Sequence, residues 1–176
     1  MNRLIRKREL IGIAVIAGLG SLLHFAFDWS GEMLPVAVLA AVNESVFEHL
    51  KITYWPALFY AVVEYSPIKK SANNFIIGKT TGLYVMPAVI TGLFYLYTTI
   101  TGSDNLIADI VIFVGAIALG QLASYKILTR ERLSLSLHRV ALAGLISLGV
   151  IYAVFTFYPP HLPIFMESLT GTYGIP

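Results

Sequence analysis

The chain has 176 residues, 57% of them hydrophobic and 12% charged, with a mean hydropathy of +0.75 and a formal net charge of +2. Soluble domains average about 25% charged residues, so this composition excludes a water-soluble globule and makes lipid part of the solvent, at a length that supports one bundle. The small net charge argues against a nucleic-acid partner, and the lack of cysteine excludes disulfides, iron–sulfur clusters, thiolate zinc sites and a cysteine nucleophile.

Crossing the hydrocarbon core takes about 20 mostly apolar helical residues. Five stretches qualify, at about 10–29, 45–65, 75–100, 106–128 and 140–157. The first follows Arg3, Arg6, Lys7 and Arg8. Its length, and the lack of a small-residue cleavage site after it, mark it as a retained span rather than a signal peptide. Pro56 predicts a bend in the second. Gly78 with Gly82, and Ala116 with Gly120, place small residues one turn apart in the third and fourth, where they let helices approach closely. The expected fold class is therefore all-α, a polytopic membrane bundle of five transmembrane helices forming a single domain.

Orientation follows from the cations. Lys69, Lys70 and Lys79 flank the second turn and Lys126, Arg130, Arg132 and Arg139 the fourth. Five spans put these and the N-terminal cluster on one side, the cytoplasm by the positive-inside rule, with the C-terminus outside a cell membrane crossed several times. Lys79, His138 and Arg139 are expected to snorkel to cytoplasmic water, and the basic turn 126–139 to touch anionic lipid headgroups.

Ionisable side chains inside a span cost about 2.5–3.5 kcal/mol each at its centre and need a partner or a use. At the outer level, His24 and Asp28 lie one turn apart in the first span, Glu44 and Glu48 at the start of the second with His49 adjacent, and Asn105 and Asp109 at the start of the fourth. Part of this has a structural reading: Ser45 with Glu48 fits a capping box, and Glu48 with Lys51 fits an interfacial ion pair. The tail at 158–176 has prolines at 159, 160, 163 and 176 but also Leu162, Ile164, Phe165 and Met166, too apolar for a free tail. It is expected to lie over the outer end, bringing His161 and Glu167 to the same group or anchoring at headgroup level.

Imidazole with carboxylate oxygen is a ligand set for a divalent transition metal, with zinc first. His24, Asp28, His49 and His161 are the candidate ligands, and Glu44, Glu48 and Asp109 the candidate catalytic carboxylates. No standard zinc motif such as His-Glu-x-x-His is present. The leading reading is a metal-dependent hydrolase acting on a lipid or membrane-associated substrate, with a carboxylate taking the proton from water. A small proton- or cation-linked transporter or channel, and a non-enzymatic partner or sensor subunit, are the alternatives. A transporter needs polar residues through the middle, where Gln121, Ser147, Thr91 and Tyr84 are too sparse for a monomer. Membrane lipid is the expected partner, with a homo-oligomer or a second membrane protein as further candidates.

The stretch Val42-Asn-Glu-Ser-Val-Phe-Glu-His-Leu-Lys51 resembles the signature of an uncharacterised family of small prokaryotic multispan membrane proteins. His24-Phe-Ala-Phe-Asp28, and Phe155-Thr-Phe-Tyr-Pro-Pro-His161 through Gly171-Thr-Tyr-Gly-Ile175, resemble its other recurrent blocks. Phe47 stands where that family often has Trp, and Ala41 where it often has Pro. The resemblance groups residues and implies no reaction. A looser chemical analogy is with the alkaline ceramidase and adiponectin receptor hydrolases, whose seven spans and late histidine pairs this chain lacks.

Overall fold

A computed structural model describes residues 3–168 and 170–175; Met1, Asn2, Leu169 and Pro176 lie outside the described residues. Among the described residues six helices follow in order: α1 (Arg3–Trp29), α2 (Leu34–Ala37), α3 (Val46–Ile68), α4 (Phe75–Thr101), α5 (Leu106–Leu128) and α6 (Leu135–Phe157). A 3-10 turn at Pro163–Phe165 comes after them, and the tail closes with an isolated antiparallel bridge between Met166 and Tyr173.

Local chemistry sets the boundaries. Ser45 Oγ accepts from Glu48 N (3.4 Å) at the start of α3, and Asn105 Oδ1 accepts from Ile107 N and Ala108 N (3.0 and 3.1 Å) at the start of α5. Ser134 Oγ caps Leu137 N and starts α6 five residues before the expected apolar span. Gly102, with φ +78°, ends α4 in the left-handed conformation that a side chain would strain. The basic residues before the first expected span are themselves helical, so α1 begins at Arg3.

Four helices, α1, α4, α5 and α6, are long and apolar enough to cross a membrane. The helix α3 matches α5 and α6 in length, at 23 residues, but carries Glu48, Lys51 and Glu64, all buried. It sits inside the bundle, with Phe47, Leu50, Tyr54, Ala57 and Tyr60 in the main core beside Ile16, Met86, Ile117 and Tyr152. The other helices turn apolar side chains outward, including Leu22, Val111, Val140 and Leu96, as helices facing lipid do.

Small residues let α4 and α5 meet backbone to backbone. A Cβ added at Gly82 would lie 2.9 Å from Gly120 O, and one at Gly120 would lie 3.0 Å from Gly82 O. A Cβ at Gly20 of α1 would lie 2.7 Å from Ile52 O of α3. Consecutive long helices run antiparallel, which gathers like ends. At the basic end, Tyr60 Oη donates to Arg8 O (2.6 Å), while Asn74 donates to Glu131 O (2.9 Å) and accepts from Leu133 N (2.9 Å). At the acidic end, Asn43 Nδ2 donates to Gly174 O (2.7 Å), and Phe165 of the tail packs on Phe47 and Phe155.

Alanine has the better helix propensity by about 1 kcal/mol, so the two substitutions Gly82→Ala and Gly92→Ala separate propensity from packing. Gly92 has open space around its would-be Cβ. Thermal unfolding in detergent should show Gly92→Ala unchanged or up to about 1 kcal/mol more stable, and Gly82→Ala destabilised by about 1–3 kcal/mol through overpacking.

Candidate metal centre

At the acidic end, the chain between α1 and α3 is pinned residue by residue. Ala41 N donates to Leu23 O (3.2 Å), and Val42 N donates to Glu48 Oε2 (3.1 Å). Asn43 Oδ1 accepts from Ser45 N (2.9 Å) while its amide nitrogen holds Gly174 O of the tail. With Asn43 fixed on one side and the Ser45 cap on the other, Glu44 is set between His24 of α1 and His49 of α3.

The three side chains converge. His24 Nε2 and His49 Nε2 are 3.3 Å apart, and Glu44 Oε2 lies 3.5 Å from His49 Nε2 and 3.7 Å from His24 Nε2. His49 Nδ1 lies 2.8 Å from Ser45 O. A carbonyl can only accept, so Nδ1 carries the proton and neutral His49 offers its Nε2 lone pair to the cluster. The His24 ring stacks on Phe25 (4.8 Å, 25°) and meets His49 edge-on (4.9 Å, 83°). Side-chain exposures of 27% for His24, 31% for His49 and 49% for Glu44 put the group at the rim, open to water on one side. These three residues could hold a metal ion.

The remaining candidates go elsewhere. Asp28 is exposed, one turn beyond His24. Asp109 Oδ1 accepts from Tyr97 Oη (2.5 Å), whose oxygen accepts in turn from Asn105 N (3.0 Å), so it braces the α4–α5 turn. His161 stacks on Tyr173 (4.6 Å, 22°), and Glu167 accepts from Thr170 Oγ1 (2.5 Å) within the tail. Glu48 is 2% exposed and forms a buried rather than interfacial ion pair with Lys51, Nζ to Oε2 at 2.5 Å. It does not complete a capping box, because Asn43 has already taken Ser45 N.

Lys51 spends its ammonium on three acceptors: Glu48 Oε2, Ala37 O (2.7 Å) and Thr156 Oγ1 (2.8 Å). This joins α3, α2 and α6 near the His24, Glu44 and His49 group, and Thr156 was not among the expected polar residues. At the basic end the correction is larger. Lys79 does not snorkel to water; it is 5% exposed and bonds Glu9 Oε1 (2.7 Å) and Glu64. Neither Glu9 nor Glu64 stood out in the sequence. The available signal was a carboxylate in α3 and a lysine in α4 at matching depth on antiparallel neighbours.

A model of a family of unknown function, DUF6512, matches residues 1–175, and the chain belongs to that family. No curated protein and no solved structure matches the chain.

Breaking the Glu48–Lys51 pair tests its structural role. Lys51→Met leaves a buried carboxylate without its cation and should cost about 3–5 kcal/mol in thermal unfolding. The double variant Glu48→Gln with Lys51→Met should recover part of that loss, since no unpaired charge remains.

Proposed function

For this member of a family of unknown function, we propose a cell-membrane protein of five spans, α1 and α3 to α6, with its N-terminus in the cytoplasm. Its acidic end then faces outward and carries a divalent metal site made of His24 Nε2, His49 Nε2 and one Glu44 oxygen. The distribution of Lys and Arg supports the orientation. The burial of the charges on α3 against other helices supports its passage through the bilayer.

The observation that carries the metal site is the triangle of donor atoms, with edges of 3.3, 3.5 and 3.7 Å. Zinc binds imidazole nitrogen and carboxylate oxygen at about 2.0–2.2 Å, so two vertices of its tetrahedron lie about 3.3–3.5 Å apart. Small side-chain movements would bring all three atoms onto one face of such a tetrahedron. Two imidazoles and a carboxylate match the His-His-Glu set of catalytic zinc sites, a set that also suits non-haem iron.

A metal held by these three residues would have room for a further ligand, water or substrate, on the water-exposed side of the group. Bound zinc lowers the pKa of its water to about 7 and so makes hydroxide available for attack. Beside the cluster, Phe25 and Trp29 stack on each other (5.7 Å) and are exposed on the lipid-facing side of α1. A substrate that reaches the metal along this ladder is lipid or membrane-associated, and hydrolysis of its ester, amide or phosphate bond is the reaction we favour. Glu48 is committed to Lys51 and is not free to act as a general base.

Metal analysis of protein purified without added chelator should find about one zinc per chain. His24→Ala and His49→Ala should each lose most of it while keeping the wild-type helical circular dichroism. Metal-free protein whose melting is indifferent to both zinc and chelator would refute the site. For the reaction, a fluorogenic lipid ester should be cleaved by the zinc-loaded protein and not by His49→Ala.

A further inference from the structure

The second polar cluster lies at the other end of the bundle and does not rest on the metal site. Glu9 of α1 and Glu64 of α3, 4% and 0% exposed, both contact the ammonium of Lys79 of α4. Ser124 Oγ of α5 donates to Glu9 Oε1 (3.1 Å), and Gln121 Nε2 donates to Glu9 O (3.3 Å). Two carboxylates and one ammonium leave one negative charge unbalanced. Moreover, Glu9 Oε2 and Glu64 Oε2 are buried with no hydrogen-bond partner. Compare Glu48–Lys51, where the charges cancel and the lysine's three bonds are complete. An uncompensated charge among helices in lipid is expensive, and removing it takes one further positive charge at the two bare oxygens.

Arg8 is a further cation near the cluster, but the ion pairs of Glu9 and Glu64 among the described residues are with Lys79 and leave both Oε2 atoms bare, and the Tyr60 phenol gives its proton to Arg8 O. Lys79 also lines a cavity of about 550 Å³ between α3, α4 and α6. The cavity is walled by apolar residues such as Leu58, Val62 and Leu142, with Lys69, Asn73 and His138 at its polar margin. The buried lysine is thus the cluster's face toward that space.

We propose that Glu9 and Glu64 together hold one exchangeable proton beside Lys79, making this cluster a proton-binding site reached from the cavity between α3, α4 and α6. Uptake converts one carboxylate oxygen to a hydroxyl, breaks no bond between heavy atoms, and returns the cluster to neutrality. The bare oxygen of Glu64, on the fully buried side chain, is the position that takes it.

The test is infrared spectroscopy of the full-length protein in lipid nanodiscs at neutral pH. Wild type should show the C=O band of a protonated carboxyl, the band should shift on transfer to ²H₂O, and it should be lost in Glu64→Gln. Glu9→Gln is the second variant, should Glu64→Gln fail to fold, and should move or remove the same band. Absence of the band in wild type, its survival in both variants, or no shift in ²H₂O would overturn the proposal. Melting that rises with Na⁺ but not with choline, with no band present, would assign the missing charge to a metal cation instead.

Discussion

Lipid offers charged side chains no solvation, and α3 brings three of them into the bundle. Other helices close off all three. Glu48 and Lys51 are closed off by α2 and α6 through Ala37 O and Thr156, and Glu64 by α4 through Lys79, with Glu9 of α1 on the same ammonium. A helix so substituted must turn its charged side toward its neighbours, α1, α4 and α6, while Phe59, Val62 and Val63 lie on its exposed side. The glycine contacts of α4 with α5, and of α1 with α3, bring the backbones close enough for side chains of ordinary reach to complete the pairs.

The acidic end inherits its order from the same constraint. Because Lys51 holds Ala37 O and Glu48 holds Val42 N, the connection from α1 to α3 is a fixed strap rather than a loose loop. Asn43 then bridges the strap to the tail at Gly174. Glu44 thus sits opposite two histidines from separate helices, on a scaffold whose hydrogen bonds are buried or partly buried. Preorganisation of this kind is what a three-ligand metal site needs, since ligands held by rigid elements lose little freedom on binding. The buried ion pair supports the rim cluster without joining it.

Much of this was legible in the sequence because hydropathy and charge are local signals. Helix α5 covers the apolar stretch 106–128, and α4 covers 75–100 and one residue more. Five like spans were expected, yet α3 differs in kind from the four that are apolar enough to cross unaided. Of the residues one turn apart on a helix, His24 meets His49 of α3, whereas Asp109 turns to Tyr97 of α4. Which face of a helix points inward is decided by packing, and helical spacing does not report it. Glu9 hid among the N-terminal cations, and Glu64 among the aromatics of α3. Lys79 looked like a snorkelling lysine because its depth, but not its partner, can be read along the chain.

The account stands on α3 crossing the bilayer, so that its two polar ends face opposite sides. The chain has no cysteine, which makes single cysteines at exposed Met33 and Ser71, before and after α3, clean reporters. In intact cells, a membrane-impermeant maleimide should label Met33→Cys from outside, and Ser71→Cys only after the membrane is opened. Labelling of both positions from the same side would contradict the account.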